Sequence, residues 1–159
     1  MIKQVHIRKL VMILLGVLLS ILFVNCNVAA QLETEFLNST QGFSQVATVT
    51  SDGITTVYIS GQVGIRNGEV ANLFSEQVDI VFANMAVQLN AAGASFADVV
   101  KLTGYIVDID GEKVASYSQG RERHFPSGMS PPASTVIGVS GLVFPALQVE
   151  VEAIAVIEE

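Results

Sequence analysis

Beyond residue 30, the spacing of apolar positions changes character several times along the chain. Gln45–Thr50 and Thr55–Ser60 are short runs rich in Val and Thr that read as strands, and Ser51-Asp52-Gly53 between them is a turn signal. Together they predict a hairpin with a short loop. Gly61-Gln62-Val63-Gly64 follows, and Arg66-Asn67-Gly68-Glu69 marks a further turn. From about Ser75 to Ala92 the period lengthens. Val78, Val81, Phe82, Met85 and Leu89 recur at three- and four-residue steps, the apolar stripe of an amphipathic helix. Ser75 and Glu76 suit its N-terminus, and Gly93 is placed to end it. Residues 97–108 return to a β-branched pattern closed by Asp108, Asp110 and Gly111. A second helix is predicted from about Glu112 to His124, with Val114, Tyr117 and Ser118 inward, and Phe125-Pro126-Ser127-Gly128 breaks it.

Two strand-like runs then flank a loop carrying Gly141 and Pro145. In the last run, a side-chain period of two puts Glu150, Glu152, Ile154 and Val156 on one face and Val149, Val151, Ala153, Ala155 and Ile157 on the other. Two carboxylates in an otherwise apolar strand need a polar cleft, a partner chain or an open edge. The element order β-β-(β)-α-β-α-β-β predicts an α/β (α+β) sandwich, one mixed sheet with two helices on one face. The other face is then left for oligomerisation or a ligand to cover.

Composition changes the picture mainly at the N-terminus. Lys3, His6, Arg8 and Lys9 precede a charge-free apolar run from Leu10 to Val24, short of the roughly 20 residues that span a bilayer as a helix. A basic start, a short apolar centre and small residues at Val28-Ala29-Ala30 form the layout of a secretory signal peptide, with cleavage expected before Gln31. The rival readings are a lipoprotein acylated at Cys26 and an uncleaved anchor. Residues 1–30 are thus a signal peptide, 31–44 an extended or poorly ordered arm, and 45–159 the domain. Export to the periplasm or beyond is expected, with no stable membrane association after cleavage. The chain from Gln31 onward keeps five basic and all fifteen acidic side chains, a net charge of −10. Such a surface repels nucleic acid and anionic lipid. Cys26 leaves with the signal, so no disulfide, thiolate nucleophile or cysteine metal site remains.

With the elements in order, particular residues point to a family. Pro132-Ala133, the apolar strand after it, Gly141-Leu142 and Val149-Glu150-Val151 resemble the C-terminal signature of the RidA (YjgF) family of reactive enamine/imine deaminases. Glu150 to Val156 is similar to that family's usual ending, and Ser60-Gly61-Gln62 to its turn after the second strand. The resemblance covers Gln45 to Val156. It implies a chorismate-mutase-like fold, a homotrimer with a central barrel of sheets, and a cleft at each subunit interface. It also implies hydrolysis of a small imine to a carbonyl product and ammonia, with no metal or organic cofactor; that no nucleic acid is a partner follows from the charge alone.

Carried over by position, the resemblance makes Glu150 the water-handling catalytic group, and Phe43, Gly61 and Ser134 substrate-binding residues. Phe43 stands where a tyrosine is usual and offers only a wall. Ser134 stands where the family has an arginine that grips the substrate carboxylate through a bidentate pair. A serine hydroxyl makes one neutral hydrogen bond, so an altered substrate preference is expected. Each residue has a plainer reading: Glu150 and Glu152 as structural carboxylates, Phe43 as core packing, Arg121 and Arg123 as surface charges. Like-charge repulsion between Glu150 and Glu152 should raise one carboxyl pKa if both are poorly solvated. Asp108, Asp110 and Glu112 fit a solvated strand-to-helix turn better than a calcium loop. Two functions remain open: an exported deaminase with changed specificity, or a non-catalytic trimeric binding protein.

Overall fold

The computed structural model describes residues 31–158. The stretch read as an export signal, with Cys26, lies outside them. Eight strands and two long helices occur in the order β1 (Glu33–Ser39), β2 (Ser44–Ser51), β3 (Ile54–Val63), β4 (Ile65–Arg66), β5 (Glu69–Val70), α1 (Phe74–Ala91), β6 (Val99–Val107), α2 (Gly111–His124), β7 (Ala133–Val139) and β8 (Val149–Glu158). Six strands form one mixed sheet in the order β1-β2-β3-β8-β6-β7, and β4 and β5 form a separate two-stranded ribbon. Within the main sheet, β6 and β7 are parallel and the other neighbours antiparallel. That parallel pair is joined through α2, as a βαβ crossover requires.

The expected hairpin is β2–β3, and its turn explains the choice of residues. Asp52 and Gly53 both have positive φ, at 52° and 75°, the two-residue geometry that matches strand twist and that Asp-Gly favours. Asn67 and Gly68 repeat the device in the β4–β5 ribbon. The arm is more ordered than its composition suggests. Glu33–Ser39 is paired with β2 from Glu33↔Thr50 to Ser39↔Ser44, which makes it an edge strand.

Helix α1 buries the expected stripe of Val78, Val81, Phe82, Met85 and Leu89. Its start corrects the sequence reading: Leu73 occupies the cap with no side-chain hydrogen bond, and Ser75 lies inside the helix. Gly93, at φ 74°, ends it as expected. In α2 the inward residues are Tyr117 and Gly120, whereas Val114 is exposed. At Gly120 an added side chain would collide with Val78, so the missing Cβ lets the helices approach. Asp110 caps α2 by accepting from the Lys113 amide at 2.8 Å, a structural use for one acid of the Asp108–Glu112 cluster.

The sheet's two faces differ sharply. Under the helices lie Val46, Val57, Ile59, Leu102, Val149 and Val151, all buried. The register puts Phe36, Ala47, Tyr58, Ile154 and Lys101 in one row across the opposite face. There Phe36 is 66% exposed and Tyr58 45%.

Candidate functional site

The site grows from an irregularity in β3. Ile59 pairs with Ala153 and Gln62 with Val151, so Ser60 and Gly61 together oppose Glu152 alone. Such a bulge bends its strand and re-aims nearby groups. Glu150 of β8 faces Val63 and folds its carboxylate over Gly61. A Cβ at position 61 would overlap that carboxylate, so glycine here reserves the space in which Glu150 lies. Gly61 is therefore above all a positioning residue for Glu150.

A groove of about 590 Å³ opens beside this pair, lined by Phe43, Gly61, Asn84, Gln88, Phe144 and Glu150, among others. Each wall is held by named contacts. Phe43 sits at the β1–β2 connection, where its carbonyl accepts from the Thr40 amide at 2.8 Å and the Thr40 hydroxyl at 3.0 Å. Ser60 ties the next residue down, its hydroxyl donating to the Ser44 carbonyl at 2.7 Å. The Asn84 amide donates to the Val63 and Ile65 carbonyls, both at 3.1 Å, and Gln88 accepts from Asn38 at 2.7 Å. Val143 and Phe144, exposed on the β7–β8 loop, close the remaining side.

That loop is fixed by one buried side chain. Gln77 on α1 is fully buried; its amide donates to the Ala71 and Ala146 carbonyls at 2.8 and 2.9 Å, and its oxygen accepts from the Gln148 amide at 2.8 Å. Gly64 makes room for it, since a Cβ there would meet the Gln77 side chain.

Electrostatics single out Glu150. Partial burial raises its pKa first, and the neighbouring Glu152 carboxylate raises it further, the like-charge effect expected for this strand face. Among the described residues no donor bonds to the Glu150 carboxylate. Glu152 differs: the Tyr105 hydroxyl donates to it at 3.1 Å. Burial, that hydrogen bond and the two carboxylates together push the Tyr105 phenol upward. Lys101, in the middle of the open face, donates to Thr135 of β7. A half-buried carboxylate with raised pKa and no donor is suited to hold and deprotonate a water molecule.

The structure brings Phe43, Gly61 and Glu150 to one groove. Ser134 is not among that groove's lining residues. It sits exposed on the edge strand β7, paired with Leu102, in a register row on the helix side of the sheet. Arg123 is held by Asp79 at 2.6 Å, and His124 stacks on Phe82 at 5.6 Å between ring centres, its pKa lowered by burial. Sequence reasoning passed over Asn84, Gln88, Val143 and Phe144. The first two occupy ordinary polar positions of an amphipathic helix, and the others lie in a loop whose path no periodicity describes.

Comparison with known proteins identifies the family. Residues 33–157 match the family described as Endoribonuclease L-PSP, the group also named RidA or YjgF. The chain belongs to this family. It is 36% identical over 102 residues to a RutC family protein of Aquifex aeolicus (strain VF5), covering 63% of this chain and 79% of the relative. A protein of Dermatophagoides farinae named 2-iminobutanoate/2-iminopropanoate deaminase is 33% identical over 106 residues, 65% of this chain and 79% of the relative. Among solved structures, RidA from the Antarctic bacterium Psychrobacter sp. PAMC 21119 superposes with a TM-score of 0.63 at 30% identity, covering 75% of this chain and 91% of that one.

Proposed function

We propose that this member of the RidA family is an imine deaminase in which Glu150 activates the attacking water. The observation that carries the reading is the Glu150 carboxylate itself, with raised pKa, no donor and a place in an open groove reserved by Gly61. The deaminase name of the Dermatophagoides farinae relative supports the same chemistry. The family's endoribonuclease description fits this chain less well. Its net charge is −7, and the described lining of the groove has no cation to meet a phosphate.

The working unit in this proposal is a homotrimer, and the cleft is completed by a neighbouring copy. Two observations support it: the open sheet face exposes Phe36, Tyr58 and Val156, and β7 leaves one edge unpaired with Ser134 exposed on it. A second copy's β7 laid against the groove would set Ser134 opposite Glu150, at the position where relatives present arginine. In this proposal the protein works outside the cytoplasm, as the export signal expected from residues 1–30 would have it. The test is imine hydrolysis by the purified protein and by Glu150→Gln and Ser134→Arg. Loss of turnover in the first variant with the assembly intact is expected. A Ser134→Arg protein that gains activity on a 2-imino acid would show that the cleft is sound and that substrate grip is what changed. A protein inactive on every imine would be a binding protein of the same fold.

A further inference from the structure

The charge inventory of the groove identifies what kind of imine belongs there. Among the described residues lining it, Glu150 is the single ionisable side chain, and β7, the strand that a second copy would lay against it, carries none. The other polar walls are neutral amides and hydroxyls, and the amide groups of two of them are turned to the protein: Gln62 donates to Gln45 at 2.8 Å and to the Ser60 carbonyl at 2.9 Å, and Asn84 to two carbonyls. No cation stands in this lining to pair with a substrate carboxylate, and Glu150 would repel one. Meanwhile Phe43 and Phe144 present exposed rings to the same space, with Val143 and Ile65 beside them. Aromatic faces attract organic cations, and more strongly where water is thinned.

We propose that the substrate is a carboxylate-free iminium ion with an apolar or aromatic substituent. This rests on the deaminase reading of the site and names its substrate class. The cationic nitrogen lies toward Glu150 and the substituent against the two phenylalanine rings. Water adds through oxygen to the iminium carbon while the C=N π pair moves to nitrogen. One water proton passes to Glu150 and on to nitrogen. Glu150 then takes the hydroxyl proton of the carbinolamine, the C–N bond breaks with its pair to nitrogen, and the released ammonia collects that proton from Glu150, so a carbonyl compound and ammonium leave. Iminium plus water thus gives carbonyl plus ammonium, and Glu150 is returned unprotonated. The reaction that supplies such a substrate is the two-electron oxidation of a primary amine rather than chemistry on a 2-amino acid.

The test uses two imines that differ only in the carboxylate. One is formed from 2-phenylethylamine by an amine oxidase, the other from phenylalanine by an amino-acid oxidase, and each decay is followed by semicarbazide trapping. The amine-derived imine should have the higher kcat/KM by at least about tenfold, because a carboxylate that meets no partner in the groove loses its hydration without replacement. Equal or faster hydrolysis of the imino acid overturns the proposal. Titration with 2-phenylethylammonium and phenylpyruvate separates this inference from the deaminase reading. Ammonium binding with no turnover of either imine removes the activity and keeps the ligand class. Preference for phenylpyruvate, or binding of neither, removes the ligand class.

Discussion

Strand β8 has two faces that obey different rules. On one, Val149, Val151, Ala153 and Ala155 are all buried beneath the helices, joined there by Phe82, Met85 and Leu89. On the other, Glu150 and Glu152 are followed by Ile154 and Val156, and none of the four is fully buried. The same backbone therefore carries a sealed apolar layer and, one residue out of step, two carboxylates that repel each other. The first face is optimised for folding. The second holds a charge where charge is unfavourable, which is how a protein keeps a carboxylate reactive at the expense of stability.

The sharpest way to break this comparison is Glu150→Gln. Under the deaminase proposal, turnover should fall by about 10²–10⁴-fold, while the melting temperature should stay level or rise. The sign follows from the raised pKa. The folded state binds the Glu150 proton more tightly than the unfolded state, so this group's contribution is most favourable below the ordinary glutamate pKa. It declines as pH rises from there through the raised folded value. A thermal melt of the variant clearly below wild type at neutral pH would show Glu150 to be structural. The opposite behaviour is expected on the sealed face. Phe82→Ala removes a fully buried ring that contacts Phe96, Tyr117 and His124, and should destabilise by about 3–5 kcal/mol in denaturant titration.

Gln77→Leu tests the tie between core and groove. It strands the Ala71 and Ala146 carbonyls and the Gln148 amide, so about 2–3 kcal/mol should be lost. Ligand affinity should weaken as the Phe144 wall is released. Last and smallest, Glu152→Gln removes the repelling neighbour of Glu150. Turnover at neutral pH should change little, while the acid limb of the rate profile moves to lower pH because Glu150 then ionises more readily. An unmoved limb would mean that the two carboxylates do not sense each other.

Much of the fold was legible in the chain because burial has a period. The stripe of α1, the alternation in β8 and the Asp-Gly turn each write their geometry locally. The arm was harder to read: Glu33–Ser39 has mixed polarity because an edge strand needs few apolar contacts, and its pairing with β2 is a long-range fact. Ser75 misled for a related reason. Its preference for the cap was overridden when the helix began at Phe74, which moves the cap two residues earlier, to Leu73. In the site, Glu150, Phe43 and Gly61 were found through position in a resembling motif. The physical ground for Gly61, space for a neighbouring carboxylate, becomes visible only when β3 and β8 are side by side. Asn84 and Gln88 reach the groove from one helix and Phe144 from a distant loop, and nothing in a one-dimensional pattern marks them.

The buried amide of Gln77 carries a kinetic consequence. It bonds the loop before β8 to the helix that forms the main core, so that loop lacks an independent opening of its own. Amide hydrogen exchange at Gln148 should therefore be slow, approaching the rate set by global unfolding rather than that of an ordinary surface loop. A ligand would then enter and leave through a fixed mouth, and its residence time would be set by attraction to the walls instead of by the swing of a gate.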